Sequence, residues 1–152
     1  MCGCLPTYYF LISICSCMQY YLVKTDPDTY SINDFQKEKK TVWNGVRNAQ
    51  AVITLKAMRA GDRVFVYHSQ GEGSIRGLAE VVGDSKPDPD DAKSWLVTLR
   101  LLQVYAEPYA TIKDIREAGE FADFALLRQS RLSVMPVPKG VVQWLKRRGV
   151  GV

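Results

Sequence analysis

An α+β domain built on a curved, mostly antiparallel sheet is the fold class the sequence predicts, and three observations predict it. The chain has 152 residues (17.1 kDa), 47% apolar and 24% charged, the composition of one globular domain long enough to bury a core without disulfides or a metal. Beyond Met18, strand-like and helix-like segments alternate with no internal repeat and no long linker. Three β-rich runs follow one another closely between Arg63 and Tyr105, which suits an antiparallel meander curving toward a small barrel.

Each element has a local reason. Tyr20 to Thr25 alternates and is rich in β formers until Asp26-Pro27-Asp28 breaks it, and Ser31 with Asp34 three residues later resembles a capping box opening a short helix. Asn48 to Arg59 places Val52, Leu55, Lys56 and Arg59 at helical spacing, and Gly61-Asp62 ends it. Arg63 to Ser69, Ser74 to Gly83 and Trp95 to Tyr105 read as strands. Gln70-Gly71-Glu72-Gly73 between the first two is a hairpin signal, and the acidic, proline-containing stretch Asp84 to Asp91 reads as a solvated loop. Thr111 with Asp114 opens a second short helix, and Asp123 to Gln129 forms another. Leu132-Ser133-Val134 is short enough to be a closing strand, and Val141 to Arg148 is a last helix with Lys146, Arg147 and Arg148 at its negative end.

The first 17 residues stand apart. They hold all four cysteines, Cys2, Cys4, Cys15 and Cys17, whose C-x-C spacing does not match the C-x2-C knuckles of zinc sites, so neither a metal nor a disulfide framework is expected. No charged residue precedes Lys24, yet the densest apolar run, Tyr8 to Ile14, is far shorter than the roughly 20 residues of a membrane span and lacks a basic flank. Residues 1–17 are therefore read as a disordered extension or a misplaced start, with an anchor or signal as the other reading, and residues 18–152 as the domain. No membrane partner is expected.

The formal charge of +4 suits an anionic partner, and its distribution is more telling: after Asp123 there is no acidic residue, so the last 29 residues carry +6. Most catalytic templates fail, since the domain has one histidine, no cysteine, no G-x-S-x-G elbow, no P-loop and no H-E-x-x-H. A catalytic role is left open only for His68, and no cofactor is implied.

Three segments combine chemistry-bearing side chains. Val42 to Ala51 holds Trp43, Asn44, Arg47, Asn48 and Gln50, a flat ring, amides that match base edges and a guanidinium fork, or else a core aromatic followed by a tight turn that caps a helix. His68 and Ser69 end a strand where polar groups can face a ligand, although on alternation His68 shares a face with Val64 and Val66 and reads equally as a satisfied core histidine. Arg128 to Val134 joins Arg128 and Arg131 to Ser130 and Ser133, either a phosphate clamp or a solvated surface.

Together these segments resemble the EVE domain, a member of the PUA-like group. The resemblance rests on Tyr21-Leu22-Val23-Lys24-Thr25-Asp26-Pro27 with Tyr30-Ser31-Ile32, on Trp43 to Ala51, on Val66-Tyr67-His68-Ser69, on Gly77 to Val82 and on Leu127 to Val137, in the family's order. It implies a PUA-like pseudobarrel flanked by short helices and a non-enzymatic reader of modified bases, above all 5-methylcytosine or another modified cytosine in DNA. The implied base pocket comprises Lys24, Thr25, Trp43, Asn44, Arg47, Asn48, Tyr67, His68, Ser69, Leu132 and Ser133, with Lys24, Arg47, Arg128 and Arg131 at phosphates. Trp43 and Tyr67 would stack on a flipped base, and Asn44, Asn48, Thr25, Ser69 or His68 would read its edge. Two positions depart from the family pattern: Thr25-Asp26-Pro27 replaces Ser-Glu-Pro, and Ala49 replaces an aromatic residue. The other functional readings are an RNA-binding PUA-like module and a small-ligand binder or enzyme using His68. A monomer in the cytoplasm, or in the nucleus of a eukaryote, completes the expectation.

Overall fold

The computed structural model describes residues 18–69, 73–105 and 110–150. Along the chain run β1 (Tyr20–Thr25), α1 (Ile32–Glu38), β2 (Lys40–Trp43), α2 (Ala49–Ala57), β3 (Arg63–His68), β4 (Ser74–Val81), β5 (Lys86–Asp88) and β6 (Asp91–Val104), followed by α3 (Ile112–Glu117), α4 (Ala125–Arg128), β7 (Val134–Pro136) and α5 (Lys139–Arg147). One sheet takes them in the order β2-β6-β4-β3-β1-β7, with β5 paired to β6 off that path. Every pairing is antiparallel except β1 with β3, which run parallel from Tyr20 opposite Arg63 to Thr25 opposite His68.

The sheet curls into a half-barrel, and its curvature has local causes. Register shifts interrupt the β3–β4 ladder at Val66/Tyr67 and the β4–β6 ladder at Leu78/Ala79, and such bulges bend and twist the strand that carries them. β3 is buried from Val64 to His68, so both of its faces are covered, and the core gathers Leu22, Phe35, Phe65, Leu78, Leu99 and Met135 around it. Gly77 admits α1: a Cβ there would lie 2.5 Å from Ile32 Cδ1 and 3.1 Å from the Gln103 carbonyl, so only glycine lets the helix approach this closely. α5 closes the fold with Val141, Val142 and Leu145 inward and Lys146 and Arg147 outward.

Both capping boxes form. Ser31 N–H donates to Asp34 at 2.9 Å while Asp34 N–H donates to Ser31 Oγ at 3.1 Å, and Thr111 and Asp114 repeat the pattern at 3.1 and 3.0 Å. Other expectations need correction. Lys40–Trp43, where no element is expected, is a strand, because β6 offers Val97 to Arg100 as antiparallel partners. The supposed loop between Asp84 and Asp91 contains β5, and Asp90 N–H donating to Asp88 Oδ1 at 2.8 Å turns the chain into β6. The closing strand lies at Val134–Pro136, where Val134 and Met135 enter the core beside β1, and the helix expected over Asp123 to Gln129 is a single turn. The cysteines, residues 1–17 and the turn residues Gln70 to Glu72 lie outside the described residues.

Candidate functional site

A cavity of about 490 Å³ opens where β1 and β2 end, within the size range of small-ligand pockets. β1 delivers Lys24 and Thr25 to its wall, β2 delivers Thr41, Val42 and Trp43, and the segments around them add Thr29, Tyr30, Asn44, Gly45, Val46, Arg47 and Ser133. Gly45 makes the turn out of β2 possible with a φ of +75°, a conformation costly for other residues. Val46 is anchored beneath the surface, its carbonyl accepting from the buried Ser94 hydroxyl at 2.6 Å.

Two rings build one side. Tyr30 precedes the N-cap Ser31, and its ring meets Phe35, four residues into the helix, at 6.2 Å between centroids, the arrangement of a hydrophobic staple. The same ring meets Trp43 edge to face, also at 6.2 Å, with an interplanar angle of 80°. Its hydroxyl donates to Glu38 at 2.6 Å and is hydrogen-bonded to Thr41. Burial first, and Glu38 second, push the phenol up to about 12, so it stays protonated at neutral pH. Thr25 Oγ1 donates to the Tyr30 carbonyl at 2.6 Å and ties this wall back to the sheet.

The rim is cationic but unequally restrained. Lys24 Nζ donates to the Ser130 carbonyl at 2.9 Å, and burial lowers its pKa from the ordinary 10.5. Arg47 is 84% exposed and meets Asp91 only at 3.8 Å, leaving its fork accessible. Arg131 is exposed, and Arg128 is exposed and paired with Asp123 at 3.4 Å.

Thus Lys24, Thr25, Trp43, Asn44, Arg47 and Ser133 come together in one wall, while five other expected pocket residues take up other work. Asn48 caps α2, its Oδ1 accepting from Gln50 N–H at 2.9 Å and Ala51 N–H at 3.1 Å. Tyr67 is 4% exposed and its hydroxyl stands over Gly73, where a Cβ would fall 1.8 Å away, so Tyr30 and not Tyr67 supplies the second ring. His68 accepts the Ile32 N–H through Nε2 at 3.0 Å, in the buried interior. Ser69 donates its N–H to the Thr25 carbonyl at 3.0 Å, behind the wall, and Leu132 is core. Ala49 begins α2 and is exposed. The signal that could have found Tyr30 was present: an aromatic residue just before a capping box, with Phe35 at the staple position.

The sequence pattern of the EVE domain matches residues 19–147. The chain belongs to the EVE domain family. This EVE domain is 28% identical to human thymocyte nuclear protein 1 over 153 residues, covering 78% of this chain and 68% of that protein. It is 34% identical to a Rhodopseudomonas palustris protein solved by NMR, with a TM-score of 0.79 over 87% of this chain and 93% of the other. The crystal structure of human THYN1 in complex with 5-methylcytosine-containing DNA aligns with a TM-score of 0.74 at 22% identity over 83% of this chain and 94% of that one, a likeness of fold. The PUA-like half-barrel expected from the resemblance is the architecture of this EVE domain. No helix among the described residues is long and apolar enough to cross a membrane.

Proposed function

We propose that this EVE domain is a non-enzymatic reader of a modified base in nucleic acid, modified cytosine in DNA above all, and that it receives the base, flipped from its stack, in the cavity at the ends of β1 and β2. The observation that carries the reading is that one cavity joins the Trp43–Tyr30 pair to hydroxyl and amide groups on Thr25, Thr41, Asn44 and Ser133, with Lys24 and Arg47 beside it. Trp43 offers the stacking face and Asn44 the donor and acceptor that match a base edge, while Arg47 holds a flanking phosphate. Flipping costs a few kcal/mol, and a ring stacked on the base returns about 1–3 kcal/mol, so the pocket needs its edge contacts as well. The human relative solved with 5-methylcytosine-containing DNA supports this choice of ligand.

Binding, not turnover, is what these groups can do. Hydroxyls, an amide and a phenol held protonated exchange no proton at neutral pH, Lys24 is committed to the Ser130 carbonyl, and His68 accepts a backbone N–H. In this reading the domain acts as a monomer wherever nucleic acid is kept, the cytoplasm or a eukaryotic nucleus.

Titrating tryptophan fluorescence with short DNA and RNA strands containing plain or 5-methylated cytosine tests the reading. The methylated DNA strand binds best, Trp43→Ala weakens it by about 1–3 kcal/mol, and Arg47→Ala lowers the slope of log affinity against log salt by about 0.7 for a single strand. Equal affinity for all strands, or no effect of Trp43→Ala, would refute it. Preference for the RNA strand would transfer the pocket to the second reading, an RNA-binding module that contacts the ribose hydroxyl.

A further inference from the structure

Building on the reading of this cavity as the base pocket, we propose that His68 is its positioning residue: the neutral imidazole holds the chain that carries Tyr30, and protonation of that ring releases the pocket wall and the ligand with it. Thr25 and His68 face each other as register partners on the parallel strands β1 and β3. Each grasps one end of the segment Tyr30-Ser31-Ile32. Thr25 Oγ1 donates to the Tyr30 carbonyl at 2.6 Å, and His68 Nε2 accepts the Ile32 N–H at 3.0 Å. The Ile32 side chain is seated against Gly77, so the first turn of α1 is fixed from both sides, and the Tyr30 ring on its N-terminal flank is held edge to face with Trp43.

An Nε2 that accepts requires a neutral ring with its proton on Nδ1. Protonation turns the acceptor into a donor aimed at another donor in a site only 9% exposed, so the bond to the Ile32 N–H is lost. The charged and polar groups around the ring come from each element packed on it. β4 brings the Arg76 guanidinium and Ser74, the latter opposite His68 in register; α1 brings the Ile32 N–H; and β1 brings the uncharged Thr25. Burial, with Arg76 second, holds the imidazole below its ordinary 6.5, so the clasp is closed at neutral pH and opens only in acid.

His68 is the single histidine of the chain, which makes its titration directly readable by NMR. In the free protein, the Trp43 indole and Ile32 amide resonances move together below about pH 6.5, with the midpoint of the His68 imidazole nitrogens. The affinity for a single-stranded DNA carrying one 5-methylcytosine falls over the same range, by up to about tenfold per pH unit, the slope of one linked proton. In His68→Gln, whose amide oxygen accepts without titrating, both pH dependences disappear. In Thr25→Val, which removes the other half of the clasp, the Trp43 resonance shifts already at neutral pH. A Trp43 step that persists in His68→Gln, or whose wild-type midpoint differs from that of the imidazole, overturns the proposal. If the step follows His68 in a protein that binds the DNA at no pH, the clasp stands and the DNA reading fails.

Discussion

The two ends of the half-barrel treat their polar groups in opposite ways. Where β1 and β2 finish, neutral hydroxyls, an amide and two rings surround open volume, and Arg47 stands nearly free at the rim. At the other end Lys40, Arg100, Glu80 and Arg63 are successive register partners across β2, β6, β4 and β3, and the first three line a cavity of about 270 Å³. There Glu80 touches Arg100 and meets Arg63 at 3.4 Å, so its carboxylate is held by an arginine from each neighbouring strand. A row of charge in register knits strands together, whereas uncharged polar groups left facing a cavity are available to a ligand.

Three perturbations test that contrast, beginning with the largest. Gly77→Ala forces a Cβ against Ile32 and the Gln103 carbonyl, and is expected to cost about 1–3 kcal/mol in urea denaturation and to weaken ligand binding, because Tyr30, just ahead of α1, lines the pocket. Unchanged stability would mean that α1 moves aside freely. Asn48→Ala removes the cap of α2 at about 1 kcal/mol, and Asn48→Ser restores most of it. A serine variant as unstable as alanine would show that the amide does something besides capping.

The smallest effect belongs to the charged end. Glu80→Gln is expected to cost no more than about 1 kcal/mol at neutral pH, less in high salt, as for other pairs open to solvent. Arg100 first, and Arg63 with it, holds the Glu80 carboxyl below its ordinary 4.5, so the increment is present above that value and disappears as acid protonates the folded protein. Urea midpoints followed from neutral pH into acid should converge for wild type and variant, and ligand affinity should not follow them. A large loss of affinity in Glu80→Gln would erase the distinction between the two ends.

How much was legible in the sequence varied with how local the cause was. The capping boxes of α1 and α3 were legible because a hydroxyl and a carboxylate three residues apart meet within one turn. β1, β3 and β4 were legible because β formers there run six residues or more. β2 and β5, four and three residues long, were not, since their reason for being strands is the neighbouring length of β6. Trp43, Asn44 and Arg47 lie close together in the chain and reached the same wall. Tyr67 and His68 could not be placed from sequence, because alternation assigns a face only when one side of a strand is exposed, and β3 is covered on both.

The sequence by itself determined the class of fold, the family, and the aromatic and amide segment that lines the cavity. These depend on residue types and short spacings, which are set before the chain closes. The tertiary structure alone decided which ring partners Trp43, and that His68 faces a backbone N–H thirty-six positions away. Those outcomes depend on strand order and on the close approach of α1 over Gly77, and contacts between residues distant in sequence exist only once the sheet has curled.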